Sequence, residues 1–170
     1  MPSTPRRTII GIMGPGDGAS EDVCAIAYDL GYQIAAAGWV VLTGGRNAGV
    51  MDAACRGAKA ANGLTLGILP GTDATHLSPA VDLPIFTGMG HARNAINVLS
   101  SDVVIACGMG CGTASEVALA LKNGKPVILV RSNPVSEAFF QQLAPGQVQV
   151  ATTPDEVIEQ IRELGFMSVQ

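Results

Sequence analysis

The sequence predicts a doubly wound α/β fold, and three observations lead to it. Short apolar runs rich in β-branched residues alternate with helical patterns along all 170 residues. Runs such as 127–130 are apolar at every position, which is typical of parallel strands covered on both faces. Glycine-rich turns follow several runs, where a strand would give way to a helix. We therefore expect residues 1–170 to form a single Rossmann-like domain with right-handed crossovers.

The elements can be assigned in chain order from these patterns. The apolar runs predict strands at 9–13, 39–42, 64–69, 83–86, 102–106, 126–130 and 148–151. Helical patterns predict a helix from the N-cap Ser20 to about residue 37, and others at 49–61, 91–99, 113–122, 136–143 and 154–164. Glycine marks helix ends at Gly38, Gly63 and Gly124, and Pro154 suits a first helical turn.

Composition narrows the classes of partner. Hydrophobic residues make up 48% of the chain and charged residues only 14%, so several helix faces would be apolar. Such faces favour a homo-oligomer, either a dimer or a tetramer. The net charge is −4 and basic residues do not cluster, which argues against binding to nucleic acid or to an anionic membrane surface. A phosphate-bearing small molecule would then be held mostly by backbone N–H groups.

The cysteines and the apolar runs indicate a cytoplasmic protein. Cys24, Cys55, Cys107 and Cys111 form no CxxC pair and no zinc-binding spacing with histidine, so we expect reduced thiols and no structural metal. No run is long enough for a membrane helix, and the run at 9–13 is too short for a signal peptide. Cys111 differs from the other cysteines, because it lies inside a glycine turn and could line a site.

Two glycine-rich turns carry the strongest indication of function. Each follows a predicted strand and precedes a predicted helix, whose unpaired N–H groups and positive dipole end would face the turn. In such sheets ligands bind at the carboxyl ends of the strands, where the two turns would meet a third turn at 14–18. Together they predict a phosphate site, with the candidate residues Gly14, Gly16, Gly44, Gly45, Arg46, Asn47, Gly49, Met51, Gly110, Cys111, Gly112 and Thr113.

Two common classes of nucleotide-binding protein do not match the sequence. The run 14–19 fits the loose G-x-G-x-x-G/A pattern, but Thr43 and Gly44 stand where an acidic residue should end the second strand. NAD is therefore not an expected cofactor. No G-x-x-x-x-G-K-[ST] motif occurs, which argues against hydrolysis of ATP or GTP at a P-loop.

Arg93 and Glu116 are the charged candidates. Arg93 opens a largely apolar helical segment and is either an exposed helix arginine or, as we prefer, an anion contact, since its planar fork suits phosphate. Glu116 follows Thr113 at capping-box spacing. It either caps the helix or presents a carboxylate at the mouth of the site, to contact a ribose hydroxyl or transfer a proton. His76 lies in a polar loop and is expected only to be exposed.

These motifs resemble the lysine-decarboxylase-like superfamily. The resemblance covers residues 8–130 and rests on Gly44-Gly45-x-x-x-Gly49-x-Met51, Arg93 and Gly110-x-Gly112-Thr113-x-x-Glu116. The superfamily contains the Lonely Guy phosphoribohydrolases, which release cytokinin bases from nucleoside 5'-monophosphates. It also contains the molybdenum cofactor carrier proteins.

The two branches of the superfamily imply different activities. In a hydrolase, the resemblance makes Arg93 and Glu116 catalytic, although here Asn94 stands where the hydrolases have lysine and 108–110 reads Gly-Met-Gly instead of Pro-Gly-Gly. The run 45–59 is more similar to the carriers. The resemblance then implies a non-catalytic protein that binds the molybdenum cofactor (molybdopterin) through its phosphate and dithiolene region. Arg93 and Glu116 would be among the binding residues, and molybdoenzymes would receive the cofactor. A nucleotide-sensing module is a third alternative with the same fold.

Overall fold

A seven-stranded sheet forms the centre of the computed structural model, which describes residues 6–168. Every strand runs parallel to its neighbours. The strands are β1 Ile9–Met13, β2 Val40–Thr43, β3 Thr65–Leu69, β4 Leu83–Phe86, β5 Val103–Cys107, β6 Val127–Val130 and β7 Val148–Ala151. Their order across the sheet is β4-β3-β2-β1-β5-β6-β7, which confirms the predicted doubly wound α/β fold.

Helices alternate with the strands along the chain. They are α1 Glu21–Ala36, α2 Gly49–Ala60, α3 Asn94–Ser100, α4 Cys111–Lys122, α5 Pro134–Leu143 and α6 Pro154–Glu163, with a short 3₁₀ turn at Gly90–Arg93 before α3. Within the described residues, no helix is both long and apolar enough to cross a membrane.

The sheet separates two apolar cores. The first lies beneath α1, α2 and α6 and is built from side chains such as Leu30, Ala54 and Ile161. The second lies beneath α3, α4 and α5 and includes Val98, Val117 and Phe140. Because both faces of the central strands are covered, β5 and β6 are buried at every position, as their uninterrupted apolar sequences predict.

Helices α1 and α2 pack with their backbones in contact. A Cβ atom at Gly31 would lie 2.0 Å from the carbonyl oxygen of Ala54, and one at Gly57 would lie 1.9 Å from that of Tyr28. Only glycine allows this approach, which fixes α2 relative to α1. The turn that precedes α2 is thereby held close to the turn that follows β1.

The direction of winding reverses beside β1. The chain passes from β1 to β2, β3 and β4 on one side, and then crosses to β5, β6 and β7 on the other. The loops after β1 and β5 therefore leave the sheet in opposite directions, which opens a crevice at the carboxyl ends of these strands.

Two predicted element boundaries differ from the structure in ways that affect the site. Helix α4 begins at Cys111, because Gly110 adopts the extended N-cap conformation (φ −148°, ψ 174°). The helix was predicted to begin at Thr113, which instead lies inside the first turn and does not cap it. The segment predicted as one helix at 91–99 is instead the 3₁₀ turn followed by α3, and Arg93 lies at their junction.

Candidate functional site

The crevice contains a cleft of about 560 Å³. This volume is within the range of small-molecule sites. The cleft is formed by the loops that follow β1, β2 and β5 together with the 3₁₀ turn. The predicted site residues that line it are Gly14, Gly16, Gly44, Arg46, Met51, Arg93, Gly110, Cys111, Gly112, Thr113 and Glu116. The structure thus brings together residues that are as much as 102 positions apart in the sequence, from Gly14 to Glu116.

The N-terminus of α4 opens directly into the cleft. The N–H group of Ala114 donates to the Gly110 carbonyl at 2.8 Å, whereas those of Cys111, Gly112 and Thr113 have no hydrogen-bond partner within residues 6–168. Thr113, in the first turn of this helix, is only 2% exposed and lines the cleft. Unpaired N–H groups at the positive end of a helix dipole form a favourable position for an anion.

The first glycine turn uses most of its N–H groups within the protein. Gly45 donates to the Thr43 hydroxyl at 3.1 Å, Asn47 donates to the carbonyl of His76 at 2.8 Å, and Val50 donates to that of Pro15 at 3.0 Å. These donors are therefore not available to a ligand, in contrast to those of α4.

Three predicted residues of this turn, Gly45, Asn47 and Gly49, do not line the cleft. A Cβ atom at Gly45 would lie 3.0 Å from Gly67 Cα, and one at Gly49 would lie 2.4 Å from the Pro15 carbonyl oxygen. Both glycines also have positive φ, of 74° and 49°. Their sequence pattern therefore reflects chain packing, while Gly44, Arg46 and Met51 are the residues that the turn presents to the cleft.

Arg93 is buried at the floor of the cleft, with 9% of its surface exposed, so it is not the exposed helix arginine of the alternative interpretation. Its Nη2 atom occupies the space beside Gly44, where a Cβ atom would lie only 2.6 Å away. Its Nη1 atom donates to Asn94 Oδ1 and lies 3.4 Å from Glu116 Oε1, whereas its buried Nε atom has no partner among the described residues. Burial lowers the pKa of Arg93, Glu116 opposes this shift, and the nearby Arg46 adds to it.

Glu116 is a buried carboxylate and not a helix cap. It is 6% exposed, and its Oε1 atom accepts a hydrogen bond of 2.8 Å from Nδ2 of the fully buried Asn97. Burial raises the pKa of Glu116, while the Asn97 hydrogen bond and the charge of Arg93 act in the opposite direction. The capping-box interpretation is therefore wrong, because Gly110 caps α4 and Glu116 faces α3.

Several residues of the cleft were not predicted from the sequence. Both histidines of the chain, His76 and His91, line it; His76 is exposed as expected but also reaches the cleft. The loop between β3 and β4 brings His76 there, because Ser78 N–H donates to the Gly45 carbonyl at 2.9 Å and an isolated antiparallel bridge joins Arg46 to Leu77. Sequence spacing gives no indication of these pairings.

The cysteines differ in their surroundings as the sequence suggested. Cys55 and Cys107 are buried, which raises the pKa of Cys55 to about 11 and that of Cys107 to about 12. Cys111 is exposed and lines the cleft. Within residues 6–168, no three His, Cys, Asp or Glu side chains lie close enough together to hold a metal ion.

Comparison with known proteins identifies close relatives of this architecture. The model of the SLOG cluster4 family matches residues 7–158. The molybdenum cofactor binding protein of the phototrophic bacterium Rippkaea orientalis is 55% identical, with a TM-score of 0.94 over 96% of this chain and 100% of the relative. The Moco carrier protein of Chlamydomonas reinhardtii is 52% identical, with a TM-score of 0.89 over 94% and 98%.

A protein of Archaeoglobus fulgidus is 41% identical over 149 residues, which are 88% of this chain and 91% of that protein. These matches extend over nearly the whole chain and confirm the resemblance drawn from the two glycine motifs and Arg93. The chain therefore belongs to the SLOG cluster4 family.

Proposed function

We propose that the protein binds and carries the molybdenum cofactor, without transforming it. The observation that carries this proposal is the unpaired N-terminus of α4, with Thr113 beside it, inside a cleft large enough for a pterin-sized ligand. It is supported by the names of the two relatives, from Rippkaea orientalis and Chlamydomonas reinhardtii, that match nearly the full chain. The cofactor phosphate would bind at the N–H groups of Cys111, Gly112 and Thr113.

The residues present suit such a ligand in three respects. The α4 terminus provides fixed donors for a phosphate, and Gly112 has no atom within 4 Å of a Cβ position, so its backbone is open to close approach. Arg46 and Arg93 provide positive charge for the other anionic part of the cofactor. The protein would act in the cytoplasm and deliver the cofactor to molybdoenzymes, in keeping with a carrier.

A phosphoribohydrolase is the second candidate, and the Arg93–Glu116 pair favours it. A buried carboxylate with a raised pKa beside a guanidinium group is an arrangement that can assist departure of a base. However, Asn94 occupies the place of the hydrolases' lysine and accepts a hydrogen bond from Arg93. The pair is thus held within a network that ties α3 to α4, which suits a fixed binding site.

Native purification followed by mass spectrometry of the released ligand tests the proposal. We expect a pterin derived from the molybdenum cofactor, and we expect purified apoprotein to rebind the cofactor and restore activity when mixed with an apo-molybdoenzyme. Gly112→Val should abolish rebinding, because its side chain would fill the phosphate position, whereas Gly71→Val changes an exposed glycine with open surroundings and should rebind normally. Rapid release of adenine from AMP, abolished by Glu116→Gln, would instead identify a hydrolase.

A further inference from the structure

The cleft carries positive charge on two separate sides. On the β5 side are the unpaired N–H groups of α4. The guanidinium groups of Arg46 and Arg93 lie on the β2 side, and each lies beside a glycine. A Cβ atom at Gly16 would lie 3.5 Å from Arg46 Nη1, and one at Gly44 would lie 2.6 Å from Arg93 Nη2. Met51 lies between these glycines, since its side chain is within 3.0 Å of both Cβ positions.

The sheet sets the distance between the two sides. Strands β2 and β5 pair with opposite edges of β1. Because neighbouring strands lie about 4.8 Å apart, the carboxyl ends of β2 and β5 are separated by about 10 Å. A single phosphate group is too small to contact the end of each strand at once.

The guanidinium group of Arg93 has an edge directed away from its protein partners. Its Nη1 atom donates to Asn94 and Glu116, while its buried Nε atom has no partner and its Nη2 atom donates to no acceptor within residues 6–168. Nη2, beside Gly44 at the wall of the cleft, is therefore the donor that Arg93 offers to an oxyanion. Arg46 lies close enough to repel Arg93, and an anion near both would relieve that repulsion.

We propose that the cleft binds two anionic groups of one ligand simultaneously, the first at the N-terminus of α4 and the second between Arg46 and Arg93. The ligand is therefore elongated, with a phosphate at one end and a second oxyanion or similar anionic centre several ångströms away. This assignment rests on the proposed function for the identity of the second group, which in the molybdenum cofactor is the molybdenum with its oxygen and dithiolene ligands.

The acidic residues of the cleft are consistent with two positions. Glu116 lies 3.4 Å from Arg93 on the side of α4, so it partly neutralises the guanidinium group between the two positions. Asp17 lies 3.0 Å from Arg46 and is largely exposed, so it can move into solvent when an anion binds. Asp17 thus holds Arg46 near the second anion position in the free protein. Because the ion pair is exposed, an incoming anion can displace Asp17 at little energetic cost.

Tungstate is a suitable probe, because it is a tetrahedral oxyanion whose anomalous X-ray scattering locates it directly. Crystals of the full chain soaked in tungstate should show one ion at the α4 terminus and a second between Arg46 and Arg93. Arg46→Gln should remove the second ion and leave the first, and Gly112→Val should do the reverse. Arg56→Gln is the matched control, since Arg56 pairs with Asp52 on the exposed side of α2 and does not line the cleft.

Titration in solution gives the corresponding affinities. Fructose 1,6-bisphosphate should bind at least tenfold more tightly than fructose 6-phosphate, and Arg46→Gln should remove that advantage while changing the affinity for the monophosphate less than twofold. A single tungstate ion that is lost in both cleft variants, or equal affinities for the two sugar phosphates, would overturn the proposal. These probes contain no pterin, so a failure of the carrier function would leave their outcome unaffected.

Discussion

At the scale of single residues, glycines shape the site for two different reasons. Gly45 and Gly49 are required by packing and by positive φ, and their Cβ positions point into neighbouring backbone. Gly44 instead makes room for two side chains that line the cleft, because the space that its Cβ would fill contains Arg93 Nη2 and Met51 Sδ. One sequence motif thus combines glycines required by packing with a glycine that borders the cleft, and only the three-dimensional structure distinguishes them.

Gly44→Ala should therefore weaken anion binding without unfolding the protein. The atoms that the new methyl group would meet are the ends of flexible side chains, so Arg93 can move away and the fold can remain intact. We expect tungstate or cofactor affinity to fall about tenfold, equivalent to about 1.4 kcal/mol. Calorimetric titration measures this change, and thermal unfolding checks the fold.

The matched control for this substitution is Gly71→Ala. Gly71 has ordinary φ, and no atom lies within 4 Å of its Cβ position. Its replacement should leave both affinity and melting temperature unchanged. Unaltered anion affinity in Gly44→Ala would show that the position of Arg93 does not matter for binding.

Glu116 should make stability depend on pH in a direction opposite to that of most carboxylates. Burial raises its pKa in the folded protein above the ordinary 4.5, so the folded state binds the proton more tightly than the unfolded state. The stability that this tighter proton binding contributes is fully present below pH 4.5, and it is lost as the pH rises through the raised pKa of Glu116 in the folded protein.

Urea denaturation of the wild type and of Glu116→Gln between pH 4 and 8 checks this dependence. The glutamine variant cannot titrate at this position, so the difference between the two proteins isolates Glu116. The wild type should lose stability relative to the variant as the pH rises above about 4.5, and the difference should then level off. If the wild type instead gains stability relative to the variant as the pH rises, Arg93 and Asn97 lower the pKa of Glu116 more than burial raises it.

At the scale of secondary structure, the sequence predicts the elements better than their ends. Apolar β-branched runs and glycine stops placed all seven strands and their order of alternation with helices. The start of α4 was placed two residues late, because Thr113 resembles a cap while Gly110 performs that role through its extended backbone. The N-cap is defined by its backbone dihedral angles. Where several neighbouring residues could each cap a helix, residue type alone does not show which one adopts those angles.

The sequence predicts the cleft residues that local backbone geometry places there. It misses those that contacts between distant segments bring to the cleft. The glycine turns follow from strand-to-helix transitions, so Gly14, Gly44 and Gly112 were recognised from local patterns. His76 reaches the cleft because its loop is hydrogen-bonded to the first glycine turn. Asn97 of α3 donates a hydrogen bond to Glu116 of α4. Such pairings between distant segments leave no local trace in a single sequence.

Asn97 should couple α3 to α4 through the Glu116 carboxylate. Asn97→Leu keeps a similar volume but removes the 2.8 Å hydrogen bond to a buried charge. We expect the free energy of unfolding at pH 7 to fall by about 1–3 kcal/mol, because the carboxylate loses a donor that water cannot replace. Asn123→Ala, which removes an exposed hydrogen bond at the end of α4, should cost much less. Equal losses for the two variants would contradict a specific coupling through Glu116.

At the scale of the whole molecule, one part of the sheet lacks a complete cover. Leu83 and Ile85 on the edge strand β4 pair in register with Leu66 and Ile68 of β3, so their side chains share the face that carries α3. The side chain of Ile68 is buried on that face, whereas those of Leu83 and Ile85 remain 51% and 46% exposed. Leu99 of α3 is exposed as well, so apolar side chains of β4 and α3 are both open to solvent.

This apolar face leads us to expect that the protein associates with a second copy of itself, as its composition predicts. Exposed apolar side chains on a chain with few charges are stabilised by burial in a symmetric interface. Light scattering at micromolar concentration should show a dimer or a tetramer. Ile85→Glu should lower the oligomeric state, because a charge would be buried at the centre of the interface. Ala60→Glu adds the same charge to an exposed position of α2 and should not. A wild-type monomer, or equal behaviour of the two variants, would refute an interface at β4.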